Sequence, residues 1–245
     1  MRPQRFIESG VGRSIRLAMG FAVEQTNPDY FYGLLARDSV RMIAEQVPLA
    51  GATVLDVGAG PRQFGETFLA SGSNYVGFDH DPDALEPLKH RRAAALVGSG
   101  ESLPVRTNSV DIAFCSNVFE HVLSPETLCD EVVRVVKPGG FAVVSYTNWL
   151  SPWGGHETSP FHYFGGRWAI DRYTRHYGFA PKNRVDETLF RTSVAQGLAW
   201  ARSCEKAEMV EARPRYYPRW ARAILRIPAL REVVTWNLWL VLKKR

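Results

Sequence analysis

The run Thr53-Val54-Leu55-Asp56-Val57 passes directly into Gly58-Ala59-Gly60, and this junction constrains the chain more than any other stretch. A short β-branched and aliphatic run predicts a strand buried on both faces. Glycines just past its end allow positive φ and let a ligand approach the backbone closely. Three further runs have the same form: Tyr75-Val76-Gly77-Phe78 before Asp79, Val110-Asp111-Ile112-Ala113-Phe114, and Phe141-Ala142-Val143-Val144-Ser145, entered through Lys137-Pro138-Gly139-Gly140. Helical patterns fill the gaps at 62–71, 81–91 and 125–136, the last begun by Ser124-Pro125-Glu126. Strands alternating with helices predict an α/β fold, a doubly wound parallel sheet with right-handed crossovers. Ligands of such sheets sit beyond the carboxyl ends of the strands, so Asp56 to Gly60, Asp79, Cys115 to Asn117 and Ser145 to Asn148 should converge.

On the N-terminal side, Asn27-Pro28-Asp29 reads as a helix start, with an Asn cap, Pro at the first position and an acid on the positive end of the dipole. Apolar Phe31, Leu34, Leu35, Met42, Ile43 and Val47 follow at helical spacing up to Pro48. Arg2, Arg5, Arg13 and Arg16 precede the apolar run Leu17 to Val23, which is short for a signal peptide and has no small-x-small site after it. On the C-terminal side, helices are expected at about 167–177 and 190–202. A strand is expected over Ala207 to Ala212 and a closing strand over Val233 to Leu242. At 245 residues the chain fits one domain better than two. Its parts are a helical lid (1–48), a core (50–147) and a region closing the acceptor site (148–245).

A lone Gly-x-Gly turn is weak evidence for a nucleotide site. Asp79 strengthens it, because it ends the next strand 19 residues after Gly60, where an acid can take ribose hydroxyls. Gln63 stands where a dinucleotide fingerprint would place its third glycine, which disfavours an NAD(P) oxidoreductase.

With these residues in place the chain resembles a family. Val54 to Gly60 is similar to the first motif of class I S-adenosylmethionine-dependent methyltransferases, and Asp79 to their ribose-binding acid. Gly98-Ser99-Gly100-Glu101-Ser102-Leu103-Pro104 resembles the segment bordering the adenine. Ser116-Asn117-Val118-Phe119-Glu120-His121-Val122 followed by Val136-Lys137-Pro138-Gly139-Gly140 completes the pattern of the ubiquinone/menaquinone-biosynthesis-like (methyltransferase type 11) branch, over about residues 50–147. The resemblance implies a Rossmann-like, mostly parallel seven-stranded sheet with helices on both faces. It implies S-adenosyl-L-methionine as cofactor, held by Asp56, Gly58, Ala59, Gly60, Asp79, His80, Ser99, Gly100, Glu101 and Asn117. Ser99 replaces an Asp common in the family, which leaves more of the adenine contact to Glu101.

The loop Trp149 to Gly166 follows the fourth of these strands and is rich in Gly, Pro, His and aromatics. His156 is the candidate catalytic residue, a general base for a hydroxyl acceptor; a structural His in an aromatic loop is the plain alternative. His121 is a second candidate base or a helix-start packing residue. His156, Glu157 and His162 lack the spacing of a zinc motif, so no metal is assigned. Arg215, Arg219, Arg222 and Arg226 fall on one stripe of an α-helix beside Trp220, Ile224 and Ile227. This basic segment, 213–231, is either a solvated face or a peripheral contact with a membrane or lipid-linked substrate. Nucleic acid is disfavoured, since no RNA motif or recognition helix accompanies it.

Three cysteines with no C-x-x-C pair suit a reducing cytoplasm. No apolar run reaches the roughly 18 residues of a membrane span. The expected activity is methyl transfer, at oxygen, to a small-molecule, saccharide or lipid-linked acceptor. Carbon methylation of a quinone-like ring is the rival within the class, and a non-catalytic S-adenosylmethionine-binding protein the rival outside it.

Overall fold

The computed structural model describes residues 10–22, 27–61, 63–85, 88 and 90–245. Arg2, Arg5, Val23 and Arg62 of the expected features lie outside the described residues. In chain order the elements are α1 (Val11–Ala22), α2 (Pro28–Ala44), β1 (Thr53–Val57), α3 (Gly65–Ala70), β2 (Asn74–Asp79), β3 (Ala93–Val97), β4 (Val110–Ser116), α4 (Pro125–Val135), β5 (Val136–Tyr146), α5 (Gly166–Tyr177), α6 (Val194–Ser203), β6 (Ala207–Pro214), α7 (Pro228–Val234) and β7 (Leu238–Lys244). Short 3-10 turns cover Pro82–Ala84, Phe119–His121, His156–Thr158, Phe161–Phe164 and Arg219–Arg226.

The seven strands form one sheet in the order β3-β2-β1-β4-β5-β7-β6. Neighbours from β3 through β5 pair in parallel, while β7 runs antiparallel to both β5 and β6. Successive residues of each central strand serve opposite cores, as the twofold strand period requires. Val54, Ile112, Phe114, Phe141, Val143, Trp239 and Val241 pack with α1, α2 and α3. Leu55, Val57, Ala113, Cys115, Ala142, Val144 and Leu240 pack with α4 and α6. Helices therefore cover both faces. Asn27 caps α2 as its sequence predicts, its side chain accepting from the Tyr30 N–H.

Several expectations are corrected. The patterned stretch 81–91 yields only the turn Pro82–Ala84 among its described residues, with Asp81 capping it through the Asp83 N–H. β3 was not anticipated. Val233 and Val234 end α7, so the closing strand begins later, at Leu238. The arginine stripe does not exist as an α-helical face. Arg215 lies past β6 and is fully buried, and 219–226 is 3-10, with about three residues per turn. No helix among the described residues is long and apolar enough to cross a membrane.

Two buried arginines fasten the N-terminal helices to the sheet. Arg13 on α1 donates from Nε and Nη2 to the two oxygens of Asp38 on α2, at 2.7 and 2.5 Å, and Nη2 also reaches the Arg215 carbonyl at 2.8 Å. Arg215 donates to Ser39 on α2 (2.6 Å), Ser116 on β4 (3.0 Å) and Ser145 on β5 (2.9 Å). Removing one member of a buried pair leaves the other charge uncompensated. Asp38→Ala should therefore lower stability by about 3–5 kcal/mol in urea unfolding, whereas the apolar double variant Arg13→Met/Asp38→Leu should recover most of that loss. Equal destabilisation by both variants would mean that shape rather than charge pairing holds the helices.

Candidate active site

The carboxyl ends of β1, β2, β4 and β5 gather the residues expected there. Gly58 has φ +76° and lies so close to Val118 that a Cβ would come within 2.1 Å of Val118 Cγ2, so no other residue fits. Gly60 has φ +47° with open space beyond its Cα, which leaves a cradle over the loop. The loop is pinned from β2: the N–H groups of Gly58 and Ala59 donate to the Phe78 carbonyl at 2.8 and 2.9 Å, and the Gly60 N–H to Asp79 Oδ2 at 2.8 Å. Asp79 Oδ1 accepts from the Asp81 N–H (3.1 Å) and lies 3.0 Å from Nδ1 of the exposed His80.

Beside Asp79, the Gly98 N–H donates to the Asp79 carbonyl. The turn that follows is closed by the Ser99–Ser102 bridge, and Ser99 Oγ accepts from the Glu101 N–H. Ser99 and Glu101 are exposed on the rim and Gly100 is packed over Leu128. Asn117 ends β4 at φ +56°, donating its N–H to the Ser145 carbonyl and accepting from Asn237 Nδ2 at 2.8 Å. All ten expected cofactor residues thus lie at or just past the carboxyl ends of β1, β2, β3 and β4.

Asp56 is buried beneath the loop and accepts from the Tyr75 hydroxyl at 2.7 Å. Burial pushes its pKa up to about 7; the Tyr75 hydrogen bond opposes the rise and the charge of Asp79 adds to it. Cys115 and Cys129 are also buried, which pushes both thiols up and leaves them inert.

The acceptor side departs from expectation. Glu157 accepts twice from Asn183, at 3.0 Å, and His162 faces the Trp149 carbonyl, so neither joins His156 as a ligand. His156 instead meets Glu120 and His121. One side-chain ligand atom from each of these three lies within 4.8 Å of the others, and the two imidazoles meet edge to face with centroids 5.0 Å apart. His156 has φ +49°, a conformation costly for a side-chain-bearing residue. Burial, then His121 and His162, push its pKa down to about 3, so the imidazole is neutral and a weak base.

Glu120 is fully buried. Oε1 accepts from the Thr147 N–H at 2.9 Å, while Oε2 has no partner among the described residues. Burial raises its pKa, with His121 opposing. Glu120 belongs to the Ser116–Val122 motif without an expected role of its own; its position four residues past the end of β4 is the signal that the sequence offers.

Residues 55–144 match the methyltransferase domain family. A curated relative from Mycobacteroides abscessus, described as an uncharacterized methyltransferase, is 48% identical over 246 residues, spanning 95% of this chain and 94% of the relative. Among solved structures, a TehB-like SAM-dependent methyltransferase from Corynebacterium glutamicum is similar at TM-score 0.56 and 17% identity, covering 95% of this chain and 98% of that one. A second, an S-adenosylmethionine dependent methyltransferase from Mesorhizobium loti, reaches TM-score 0.55 at 17% identity over 84% of this chain and 96% of that one. These structures share the fold.

The raised pKa of Asp56 has a measurable sign. Its folded value, about 7, exceeds the unfolded 3.8, so the folded chain holds this proton more tightly. Stability therefore falls as pH rises from about 4 to about 7, and is level above. The loss is at most about 4 kcal/mol, at about 1.4 kcal/mol per unit. Asn keeps an oxygen for Tyr75. Asp56→Asn should accordingly match the wild type in thermal unfolding near pH 4 and exceed it near pH 8; a difference independent of pH would show that Asp56 is not a buried acid.

Proposed function

The chain belongs to the methyltransferase family, and on that premise we propose that it transfers the methyl group of S-adenosylmethionine to a hydroxyl oxygen of a small-molecule, saccharide or lipid-linked acceptor. The observation that carries this reading is the open space over Gly60 in the turn that leaves β1, with the buried acids Asp56 and Asp79 beside that turn. An adenosyl amino acid offers a matching set of groups: an ammonium for Asp56, ribose hydroxyls for Asp79, and an adenine edge for the rim of Ser99, Gly100 and Glu101. Asp79 Oδ2 accepts from the Gly60 N–H and Oδ1 from the Asp81 N–H, so the carboxylate that shapes the loop has its remaining lone pairs for the ribose hydroxyls. His80 stands on the rim and Asn117 on the β4 side of the crevice.

When bound, S-adenosylmethionine supplies an electrophilic methyl group on a sulfonium. The protein's task is then to align an acceptor oxygen with that methyl and to lower the cost of losing the acceptor's proton. The 149–166 loop faces this end of the sheet and is held rigidly: Gly154 and Gly155 sit against the Trp149 carbonyl and His162, with no room for a Cβ. It brings His156 beside Glu120 and His121. A hydroxyl brought there meets polar groups that repay its desolvation, which supports oxygen as the acceptor atom.

Asp79→Ala should weaken S-adenosylmethionine binding by about 1.5–3 kcal/mol in calorimetry, the range of a charge-assisted hydrogen bond. Unchanged affinity would sink the cofactor assignment. Incubating the enzyme with isotope-labelled cofactor and cell extract, followed by mass analysis, should reveal a product heavier by one methylene and labelled at oxygen. Label on ring carbon would replace this reading with carbon methylation.

The outward face of 219–233 supports the lipid-linked form of the acceptor. Arg222 and Arg226 stand there beside exposed Trp220, Ile227 and Leu230, whereas Arg213 and Arg215 are buried and take no part. If this face meets an anionic membrane, Trp220→Ala/Arg222→Gln/Arg226→Gln should lose sedimentation with anionic vesicles yet keep cofactor affinity, and added salt should mimic the variant. A wild type that ignores such vesicles would leave soluble acceptors.

A further inference from the structure

We propose that Glu120, His121 and His156 form a binding site for a divalent transition-metal cation, whose open coordination positions take the acceptor hydroxyl. Two imidazoles and one carboxylate are a donor set suited to ions such as zinc or manganese, and three protein ligands leave room for exogenous oxygen. The inference rests on the hydroxyl reading above and assigns that site its missing proton chemistry.

Four observations point to a ligand here. Glu120 is fully buried and Oε2 has no partner, although Oε1 is fixed by the Thr147 N–H. His156 Nε2 is likewise buried and unpartnered, on a residue held at positive φ. An unpaired carboxylate oxygen and an unpaired imidazole nitrogen buried together are costly unless something sits between them. His121 Nδ1 lies 2.7 Å from the Thr188 carbonyl, which can only accept, so Nδ1 carries the proton and Nε2 keeps its lone pair. This backbone anchoring of the far nitrogen is how metal-binding histidines are commonly oriented. Finally, the ligand atoms lie within 4.8 Å of one another. Two donors about 2.1 Å from one ion stand at most about 4.2 Å apart, so small side-chain rotations complete the site.

The ion explains what His156 cannot do alone. A cation requires an imidazole nitrogen with a free lone pair, and the buried Nε2 of His156, unpartnered among the described residues, offers one. A hydroxyl bound to the cation loses its proton to water near neutral pH. The resulting oxyanion forms the O–C bond as the C–S bond breaks, the sulfur keeping the electron pair and leaving as a neutral thioether. The place suits this chemistry: Glu120 and His121 follow Val118, which is packed against Gly58 at the floor of the crevice.

The test uses the full-length untagged protein, stripped with a chelator and titrated with cobalt(II), whose visible absorption reports coordination. About one equivalent should bind with imidazole–carboxylate character, and Glu120→Gln and His156→Asn should each weaken binding on the order of a hundredfold. His176→Asn, on the exposed surface of α5, should bind as the wild type does. S-adenosylhomocysteine affinity, read on every variant, shows that the crevice is intact. If Glu120→Gln fails to fold, His156→Asn, on the loop, carries the test. No cobalt binding by the wild type, or binding that survives both ligand variants, overturns the proposal. Cobalt binding needs no acceptor, so methyl label found on carbon would refute the hydroxyl reading while leaving the metal site standing.

Discussion

The reversal of strand order between β1 and β4 is the constraint from which the site follows. From β1 the chain crosses by α3 to β2 on one side; from β4 it crosses by α4 to β5 on the other. Both crossovers are parallel, and their right-handedness sends α3 and α4 to opposite faces, as the two cores show. The loops leaving β1 and β4 therefore diverge, and a crevice opens between neighbouring strands that no helix can fill. Gly58 on one lip touches Val118 on the other, and this contact sets how narrow the floor is. A side chain at position 58 would force the lips apart.

Arg215 ties the rest of the molecule to that crevice. Its guanidinium reaches α2, β4 and β5 through three serine hydroxyls, with the Trp239 ring 5.2 Å away. No carboxylate of the described residues forms an ion pair with it, and Asp38 and Glu120 act on its charge only from a distance. A buried charge with neutral partners is poor value as stability, and its use is positional. Ser116 and Ser145 immediately precede Asn117 and Tyr146, so the same side chain that seats α2 also fixes where the two strands end. Arg13 extends the link to α1 through the Arg215 carbonyl. The N-terminal helices are thus part of the core and couple directly to the site.

The sequence was most legible where one local rule decided the outcome. The runs at β1, β2, β4 and β5 are dominated by buried aliphatic and aromatic residues, and all four formed, with their carboxyl ends at one edge of the sheet. α4 and α5 followed their apolar spacing. β3 escaped because Ala93-Ala94-Ala95 on an edge strand is half exposed and carries no alternation. The stretch 81–91 carries a helix-start signal in the Asp81 cap and Pro82, yet among its described residues only one 3-10 turn forms and the backbone is already extended at Leu85. The C-terminal arginines were misread because a 3.6-residue period was assumed for a segment that is 3-10 and begins beyond Arg215. The grouping of Glu120 and His121 with His156 was beyond any spacing rule. The separation of 35 residues along the chain is closed by the β4–β5 pairing and the strained turn at His156, and only the fold supplies that proximity.

The two acids of the crevice share one electrical condition. Asp56 and Glu120 are both buried, both have raised pKa values, and neither forms an ion pair with a cationic side chain of the described residues. Asp56 has a phenol and Glu120 a backbone N–H, which are neutral donors. A chain selected for stability alone would replace such acids with amides or apolar residues, because an uncompensated buried carboxylate costs the folded state in proportion to its raised pKa. Retaining them makes sense if the compensating charge arrives from outside. On the function proposed above, the cofactor's ammonium would approach Asp56 and a metal cation would sit beside Glu120. Each carboxylate then moves from the least favourable state in the apo protein to the most favourable in the complex, and the energy withheld in folding reappears as affinity and selectivity for positive ligands. The crevice is held open by topology and left electrically incomplete by its own residues, and the second property is what makes the first a binding site.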